Sequence, residues 1–276
     1  MKEYMDLPPS KIVPKLADKG EYIASESTFY RILLEEKMLA HRGKSKPATH
    51  KKPDELVATG PNQVYSWDIT YLKSMIKGQF FYLYMFIDVW SRKIVGWEVH
   101  EDEDMEKSSE LIKKIYDAEG LSDGQVYLHS DNGSPMKGAT MLATLEALGV
   151  MPSFSRPKVS DDNPYSESLF KTLKYCPEYP SGGRFNSMDD AKAWVKQFVE
   201  WYNCSHLHSG IKFVTPHDRH EGNDIAILDK RKEVYELAKK RNPNRWSGST
   251  RNWGHIENVE LNKLHSGKVL DIKVAS

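Results

Sequence analysis

Apolar positions between residues 64 and 154 predict the strands of one sheet. Period-two alternation and short continuous apolar runs cover residues 64–72, 80–90, 94–99, 126–129 and 151–154, as is typical of half-buried and fully buried strands. Only short polar turns separate the first three runs. We therefore expect these three strands to be antiparallel neighbours, because a parallel pair needs a long crossover connection.

Longer amphipathic stretches between and after these strands predict helices. They cover residues 105–118, 138–148, 163–175 and 188–202. Three strands followed by alternating helices and strands form the layer pattern of an α/β protein. The sequence therefore predicts an α/β fold in which helices flank a mixed five-stranded sheet.

The segments outside this core differ from it in composition. Residues 1–40 are predicted to form short helices, one of which Ser25 or Ser27 could cap. This segment is either the end of a helix-turn-helix or a packing arm. Residues 41–53 are rich in Lys, His and Pro, a composition typical of linkers. The predicted organisation is a partial helix-turn-helix-like segment at 1–40, a basic linker at 41–60, the core at 61–222 and a basic C-terminal helix and tail at 223–276.

Bulk composition excludes several classes of protein. Hydrophobic residues make up 39% of the 276 and charged residues 28%, which is typical of a folded globular chain. No apolar run approaches the ~20 residues of a membrane helix, and the opening residues lack the apolar segment of a secretory signal, so we expect a cytoplasmic protein that does not contact membranes. Cys176 and Cys204 are too few and too widely spaced for a zinc finger or a disulfide framework.

The net charge of zero conceals an uneven distribution along the chain. Residues 1–60 carry a net charge of +2, residues 61–229 carry −8 and residues 230–276 carry +6. Basic flanks are where phosphate contacts are expected, whereas an acidic middle suits a segment that gathers carboxylates around cations. Arg42, Lys44 and Lys46 of the linker are therefore candidate DNA contacts.

Three carboxylates are unremarkable one at a time. Asp68 lies within the first predicted strand, where an isolated aspartate is most often exposed. Asp131 follows the fourth strand in a Ser-Asp-Asn-Gly sequence that also suits a tight turn. Glu167 lies in the first turns of a helix, where an acid complements the helix dipole. Each has an ordinary structural explanation.

Together the three carboxylates predict a metal site. The first and fourth strands of a mixed sheet can lie side by side, which would bring Asp68 near Asp131, and the following helix can add Glu167. Hard oxygen ligands of this kind suit Mg²⁺ or Mn²⁺. Two such ions would activate a water or a 3′-hydroxyl and stabilise the leaving oxygen in phosphoryl transfer.

Three motifs around these carboxylates closely resemble the catalytic motifs of insertion-sequence transposases with a retroviral-integrase-type core. They are Trp-Asp-Ile-Thr at 67–70, His-Ser-Asp-Asn-Gly at 129–133, and Asn-Pro-Tyr-Ser-Glu-Ser-Leu-Phe-Lys-Thr-Leu-Lys at 163–174. Between Asp131 and Glu167 lie 35 residues, the spacing that names the D,D-35-E pattern of that superfamily. The resemblance extends from about Tyr65 to Pro216. One departure is Ser-Pro-Met-Lys at 134–137, where many relatives carry Gln-Tyr.

The resemblance implies an RNase H-like fold and a DDE transposase of the type encoded in a second reading frame. It implies metal-dependent DNA cleavage that exposes 3′-hydroxyls, followed by strand transfer into target DNA, with Asp68, Asp131 and Glu167 as ligands of two Mg²⁺ or Mn²⁺ ions. Double-stranded DNA, a second copy of the chain and a helix-turn-helix protein from an upstream frame are the partners it implies.

Two other functions stay open at the level of the sequence. The short N-terminal segment also fits a catalytically inactive DNA-binding transposon remnant, because specific recognition of DNA ends needs a more complete helix-turn-helix. An RNA-hybrid nuclease with the same fold is disfavoured by the spacing of 35 residues. Asp88, Asp161 and Asp162 are rival carboxylates, but each lies where a turn or a helix N-terminus needs an acceptor.

The helix that carries Glu167 also carries candidate DNA contacts. Asn163, Glu167, Lys171 and Lys174 are spaced so that they share one helix face. If a metal ion occupies Glu167, the two lysines are not needed to pair with it. We therefore predict that Lys171, Lys174 and Asn163 contact DNA.

Overall fold

The computed structural model describes residues 9–18, 20–36, 38, 55–156, 162–262 and 269–270. The chain divides into two compact units, residues 1–51 and residues 52–276. Arg42, Lys44 and Lys46, predicted to contact DNA, and Asp161, predicted to be structural, lie outside the described residues.

The described part of the first unit contains two short helices, α1 (Pro9–Ala17) and α2 (Glu26–Glu35). Ser25 caps α2, since its side chain accepts a hydrogen bond from the backbone N–H of Thr28, which satisfies one of the unpaired amides of the first turn. The predicted helices and serine cap are therefore present. The helix α2 buries none of its residues.

The second unit contains two sheets and seven helices within the described residues. In chain order its elements are β1 (Glu55–Ala58), β2 (Val64–Ser74), β3 (Phe80–Asp88), β4 (Ile94–His100), α3 (Met105–Ala118), β5 (Tyr127–Ser130), α4 (Ser134–Lys137), α5 (Ala139–Ala147), β6 (Met151–Phe154), α6 (Pro164–Lys174), β7 (Arg184–Phe185), α7 (Met188–Cys204), α8 (Pro216–His220), α9 (Asp224–Arg241), β8 (Val259–Leu261) and β9 (Val269–Leu270). In the part of the chain that the structure describes, no helix is both long and apolar enough to cross a membrane.

The main sheet has the strand order β4-β3-β2-β5-β6, and the two-residue β7 also pairs with β2. The strands β2, β3 and β4 are antiparallel neighbours, while β5 is parallel to both β2 and β6. The predicted mixed sheet with flanking helices is confirmed. Its central strand β2 is paired on both sides, which places any polar residue of β2 in the middle of the fold.

Apolar side chains pack against both faces of this sheet. Tyr65 and Trp67 of β2 join the cluster under α3 and α5, whereas Leu72 joins the cluster under α6 and α7. The indole of Trp67 stacks on Phe86 with ring centroids 5.0 Å apart. The odd-numbered positions of β2 therefore face α3 and α5, and the even-numbered positions face α6, as the period of a strand requires.

A second, three-stranded sheet joins the two ends of the unit. Its order is β8-β1-β9, and Leu56 of β1 lies opposite Leu261 of β8. The strand β1 falls within the predicted linker 41–60, and β8 falls within the predicted C-terminal tail. Each of the two segments has only a short apolar pattern. Pairing them in a sheet buries Leu56 and Leu261 beside Val89 and Trp90, and this burial stabilises the sheet.

A buried arginine ties the C-terminal segment to the main sheet. The Nε of Arg219 donates to the carbonyl of Trp90 at 2.9 Å, and its Nη2 donates to that of Ile256 at 2.7 Å. Its guanidinium stacks on the Trp90 ring and faces Asp224 at 3.5 Å. The chain after α8 is therefore anchored to the core rather than being a separate tail.

The close approach of β4 to α3 requires a glycine at position 96. A Cβ built on Gly96 would lie 2.3 Å from Cδ1 of Ile115, far inside van der Waals contact. We predict that Gly96→Ala lowers the free energy of unfolding by about 1–3 kcal/mol, the usual cost of overpacking a core. Urea unfolding followed by circular dichroism measures this change.

Gly248→Ala is the matched control, because a Cβ at Gly248 meets no atom within 4 Å. It should change stability by no more than about 0.5 kcal/mol. Equal stability of the two variants would contradict the close packing of β4 on α3.

Candidate active site

The parallel pairing of β2 with β5 places two of the predicted carboxylates next to each other. The last paired residues are Trp67 and Ser130. Asp68 and Asp131 are the next residues on each strand: Asp68 continues within β2, whereas Asp131 follows the last residue of β5, so the two lie at the same level. The predicted adjacency of the first and fourth strands is confirmed by this register.

Neutral hydrogen bonds fix α6 against β2 beside Asp68. The hydroxyl of Ser66 is fully buried, donates to Oδ1 of Asn163, and lies 2.7 Å from the hydroxyl of Ser166. The side-chain amide of Asn163 donates to the carbonyl of Trp67 at 3.3 Å. These bonds hold the start of α6, which carries Glu167, at the level of Asp68.

A chain of hydrogen bonds through β5 and β6 orients Asp131. The hydroxyl of Ser155 donates to Oδ1 of Asp131 at 2.9 Å. The buried ring of His129 lies behind it, with Nε2 donating to the carbonyl of Asp162 at 2.9 Å and Nδ1 facing Ser153. Burial lowers the pKa of His129 below its ordinary value, although the bond to Asp162 opposes this. His129 is therefore a neutral structural group.

The two aspartates open into one cleft of about 560 Å³. Asp68 and Asp131 share its walls with Tyr71 and Glu103, and the Tyr71 hydroxyl donates to Glu103 at 3.4 Å. In the sequence, Glu103 lies in the acidic run Glu-Asp-Glu-Asp at 101–104, directly before the predicted helix at 105–118. No local pattern distinguishes it from its acidic neighbours, so only the fold identifies it as part of this cleft.

Burial, assisted by neighbouring carboxylates, raises the pKa of Asp68 to about 7. Burial is the largest cause, the backbone N–H of Ile69 opposes it, and the charges of Asp131, Glu167 and Glu103 raise the value further. The carboxylates that raise it include both predicted partners of Asp68. The three residues therefore lie close enough to share one electrostatic field.

The described carboxylates form an open site rather than a closed cage. Among the described residues, no three His, Cys, Asp or Glu side chains converge closely enough to hold a metal ion. Glu167 is exposed on the first turns of α6 and does not line the cleft, unlike Asp68 and Asp131. The donor set nevertheless fits a hard divalent cation, because it offers carboxylate oxygens whose repulsion a cation would relieve.

The three predicted DNA contacts on and beside α6 differ in their exposure to solvent. Lys171 and Lys174 are exposed, and Lys174 is near enough for Asp68 to raise its pKa, although burial lowers that pKa more strongly. Asn163 is fully buried, with both ends of its side-chain amide bonded to β2. This placement argues against a DNA contact at Asn163, because the amide is needed to fix α6.

Family comparisons agree with this arrangement. Two models described as "Integrase core domain" match residues 58–160 and residues 148–216. Together they span 58–216, which is more than half of the chain. The match and the order of the main sheet confirm the predicted integrase-type, RNase H-like fold.

Curated relatives are transposases of insertion sequences. The transposase for insertion sequence element IS904 of Lactococcus lactis subsp. lactis is 32% identical over 162 residues, covering 58% of this chain and 62% of that protein. Transposase InsF for IS3A of Escherichia coli is 28% identical over 173 residues, covering 62% of this chain and 58% of that protein. The chain thus spans about three-fifths of the length of the curated relatives it matches.

Similar solved structures include viral integrases. A simian T-cell lymphotropic virus intasome in complex with PP2A regulatory subunit B56 gamma aligns with a TM-score of 0.47 and 16% identity, covering 77% of this chain and 74% of that chain. The HTLV-2 integrase catalytic core domain in complex with magnesium aligns with a TM-score of 0.42 and 16% identity, covering 58% and 97%.

The family follows from the match over residues 58–216, and the two aspartates at one level of the paired parallel strands β2 and β5 agree with it. The chain belongs to the integrase core domain family, and its curated relatives within it are insertion-sequence transposases.

Proposed function

We propose that this chain is a DDE transposase that cleaves DNA and transfers the resulting 3′ ends to target DNA. The observation that carries the proposal is the shared cleft of Asp68, in the middle of β2, and Asp131, at the end of β5, within the electrostatic field of Glu167. All three carboxylates are present, so nothing favours the alternative of an inactive remnant.

In this proposal Asp68, Asp131 and Glu167 hold two Mg²⁺ or Mn²⁺ ions. The bound metal would activate the attacking oxygen and stabilise the charge on the leaving oxygen. The protein keeps Asp68 and Asp131 at a fixed separation through the pairing of β2 with β5, so little reorganisation is needed at the reacting phosphate. Glu167 would complete the site from α6.

The partners proposed for the chain follow from this reaction. Double-stranded DNA supplies both the element ends and the target. Two ends must be processed together, so we propose that two or more copies of the chain assemble on DNA. A helix-turn-helix protein from an upstream reading frame is a further proposed partner, since the described part of residues 1–51 contains only α1 and α2.

The first test addresses the metal site without requiring activity. Asp68 has a folded pKa of about 7 against an ordinary value of 3.8. Well below pH 3.8 this carboxyl is protonated in both the folded and the unfolded chain, so it has no effect on stability. Between about pH 4 and 7 the unfolded chain is ionised while the folded chain still holds the proton, so the native protein loses stability over this range, and the loss levels off above pH 7.

Asp68→Asn removes this loss, and we expect it to stabilise the metal-free protein at pH 8 by up to about 4 kcal/mol, with the difference vanishing below about pH 3. Adding Mg²⁺ at pH 8 should raise the melting temperature of the native protein but not that of the variant. Asp117→Asn, on the exposed side of α3, is the control. An Asp68→Asn variant that responds to Mg²⁺ as the native protein does would rule out Asp68 as a ligand.

The second test addresses catalysis. Asp131→Asn keeps an oxygen that can accept from Ser155 but removes the charge, so the fold should survive. We expect DNA cleavage and strand transfer in Mg²⁺ to fall by roughly three orders of magnitude, or about 4 kcal/mol in activation free energy. Pre-cleaved and uncleaved candidate ends measure the two steps separately.

Glu103→Gln is the matched control for this experiment, because Glu103 lines the same cleft but lies outside the proposed ligand set. It should retain activity within a few-fold of the native protein. Turnover by Asp131→Asn in Mg²⁺, with Glu103→Gln inactive, would move the metal site to Glu103 and refute the assignment.

The third test addresses the lysines of α6. Replacing Lys171 and Lys174 with Ala removes two exposed charges beside the cleft. We expect weaker DNA binding and a slope of log K against log salt that is smaller by roughly two, one for each lost phosphate contact. Fluorescence anisotropy at several salt concentrations measures the slope.

Lys192→Ala with Lys196→Ala on α7 removes the same total charge from two positions about one helical turn apart. This control pair should leave the salt slope close to that of the native protein. If both double variants bind DNA equally well, Lys171 and Lys174 do not contact phosphates.

A further inference from the structure

A second cavity, of about 300 Å³, lies on the α6 side of the sheet, apart from the carboxylate cleft. It is bounded by the end of β3, the turn after it, the start of α6 and the segment after α7. The residues that line it are Ile87, Arg92, Pro164, Tyr165, Ser168, Leu169, Tyr202 and His208. None of the eight is acidic, so the cavity offers hydrogen-bond donors and a positive charge but no carboxylate.

Arg92 is the charged group of this cavity, and it is buried without a hydrogen-bond partner for two of its nitrogens. Its side chain is only 9% exposed, and Nε and Nη1 are both buried with no partner among the described residues. The guanidinium stacks on the ring of Tyr165, 4.0 Å from the centroid. Buried arginines are nearly always paired, so these nitrogens indicate a missing acceptor.

The backbone at this position favours glycine rather than arginine. Arg92 has a φ of +71° in the turn between β3 and β4, a left-handed conformation that costs a side-chain-bearing residue about 1–2 kcal/mol. Its N–H closes the turn by donating to the carbonyl of Asp88 at 2.8 Å. Because the turn itself would be more stable with glycine, the arginine is explained by what its side chain does.

The nearest acid in the turn is already engaged elsewhere. The carboxylate of Asp88 accepts from the backbone N–H of Trp90 at 3.1 Å and from the hydroxyl of Ser91 at 2.7 Å. It also lies 3.1 Å from Nδ1 of His220. The carboxylate of Asp88 is therefore occupied by the turn and by His220. It does not pair with Arg92, whose guanidinium faces the cavity.

His208 adds a neutral donor on the opposite wall. Its Nδ1 accepts from the backbone N–H of Gly210 at 3.1 Å, so the proton of the neutral ring is on Nε2. Burial, followed by the charge of Arg92, lowers the pKa of His208 to about 4. The ring is therefore uncharged at neutral pH and can donate one hydrogen bond, alongside the hydroxyls of Ser168 and Tyr202.

We propose that this cavity binds a backbone phosphate of DNA through the guanidinium of Arg92, with His208 and the hydroxyl of Ser168 as further donors. Arginine is suited to this ligand, because its guanidinium stays charged and offers several N–H donors in one plane. Ser168 is exposed and forms the open rim of the cavity. It directly follows Glu167 on α6, so a phosphate held here positions the DNA strand relative to the carboxylates.

The proposal rests on the proposed function, but its test does not depend on catalysis. The experiment measures binding of the full chain to a labelled random-sequence duplex in EDTA, by fluorescence anisotropy at several salt concentrations. Random sequence suffices because phosphate contacts carry no sequence information. Asp131→Asn should bind this duplex as the native protein does, so failed cleavage and failed binding are separate results.

Two variants disrupt the cavity in different ways. Arg92→Gln removes the charge, and Ser168→Glu places an acid at the exposed rim without altering the turn. We expect each to weaken DNA binding about tenfold or more and to reduce the salt slope by about one. Ser122→Glu adds the same charge in an exposed loop after α3 and should leave both quantities unchanged.

Inorganic phosphate distinguishes DNA from a free anion as the ligand. It should raise the melting temperature of the native protein and not that of Arg92→Gln. If phosphate stabilises the native protein while both cavity variants bind DNA normally, the cavity is a free-anion site and the DNA assignment is overturned. Unchanged DNA binding by Ser168→Glu overturns it as well, even if Arg92→Gln does not fold.

Discussion

The mutual repulsion of carboxylates where β5 ends beside the middle of β2 is the constraint around which this domain is arranged. Asp68 and Asp131 would separate in a flexible chain, but the parallel register of β2 and β5 holds them level. The aromatic packing under this pair includes the stacking of Trp67 on Phe86. Its contribution to the free energy of folding offsets the unfavourable repulsion between the carboxylates. A charged site in a fold of this kind depends on apolar packing on both faces of its central strands.

The helix with the third carboxylate is held by neutral groups, and this choice preserves the charge of the site. Ser66 and Asn163 join β2 to α6 by hydrogen bonds between uncharged side chains. A salt bridge in the same place would neutralise one of the carboxylates. With neutral bonds, the negative field that raises the pKa of Asp68 is left for cations to balance.

Opposite charges are separated across α6. The acidic cleft lies beside Glu167, whereas the cavity of Arg92 and His208 lies around Ser168, one residue further along the helix. In the proposed function, a single helix would present a cation-binding site and an anion-binding site to one DNA strand. The net charge of zero is a sum over the whole chain. It does not describe the acidic cleft or the Arg92 cavity, because ligand binding depends on the local electrostatic potential.

The sequence by itself determined the strands and helices of the core and the order and spacing of Asp68, Asp131 and Glu167, because periodicity and motif spacing are local properties of the chain. Only the tertiary structure showed that Asn163 is buried or that Arg92 lies across a cavity from His208. A polar residue has the same local pattern whether it meets water, a strand or a ligand. Its role depends on which distant elements pack around it, and that packing is decided by the burial of apolar side chains elsewhere in the fold.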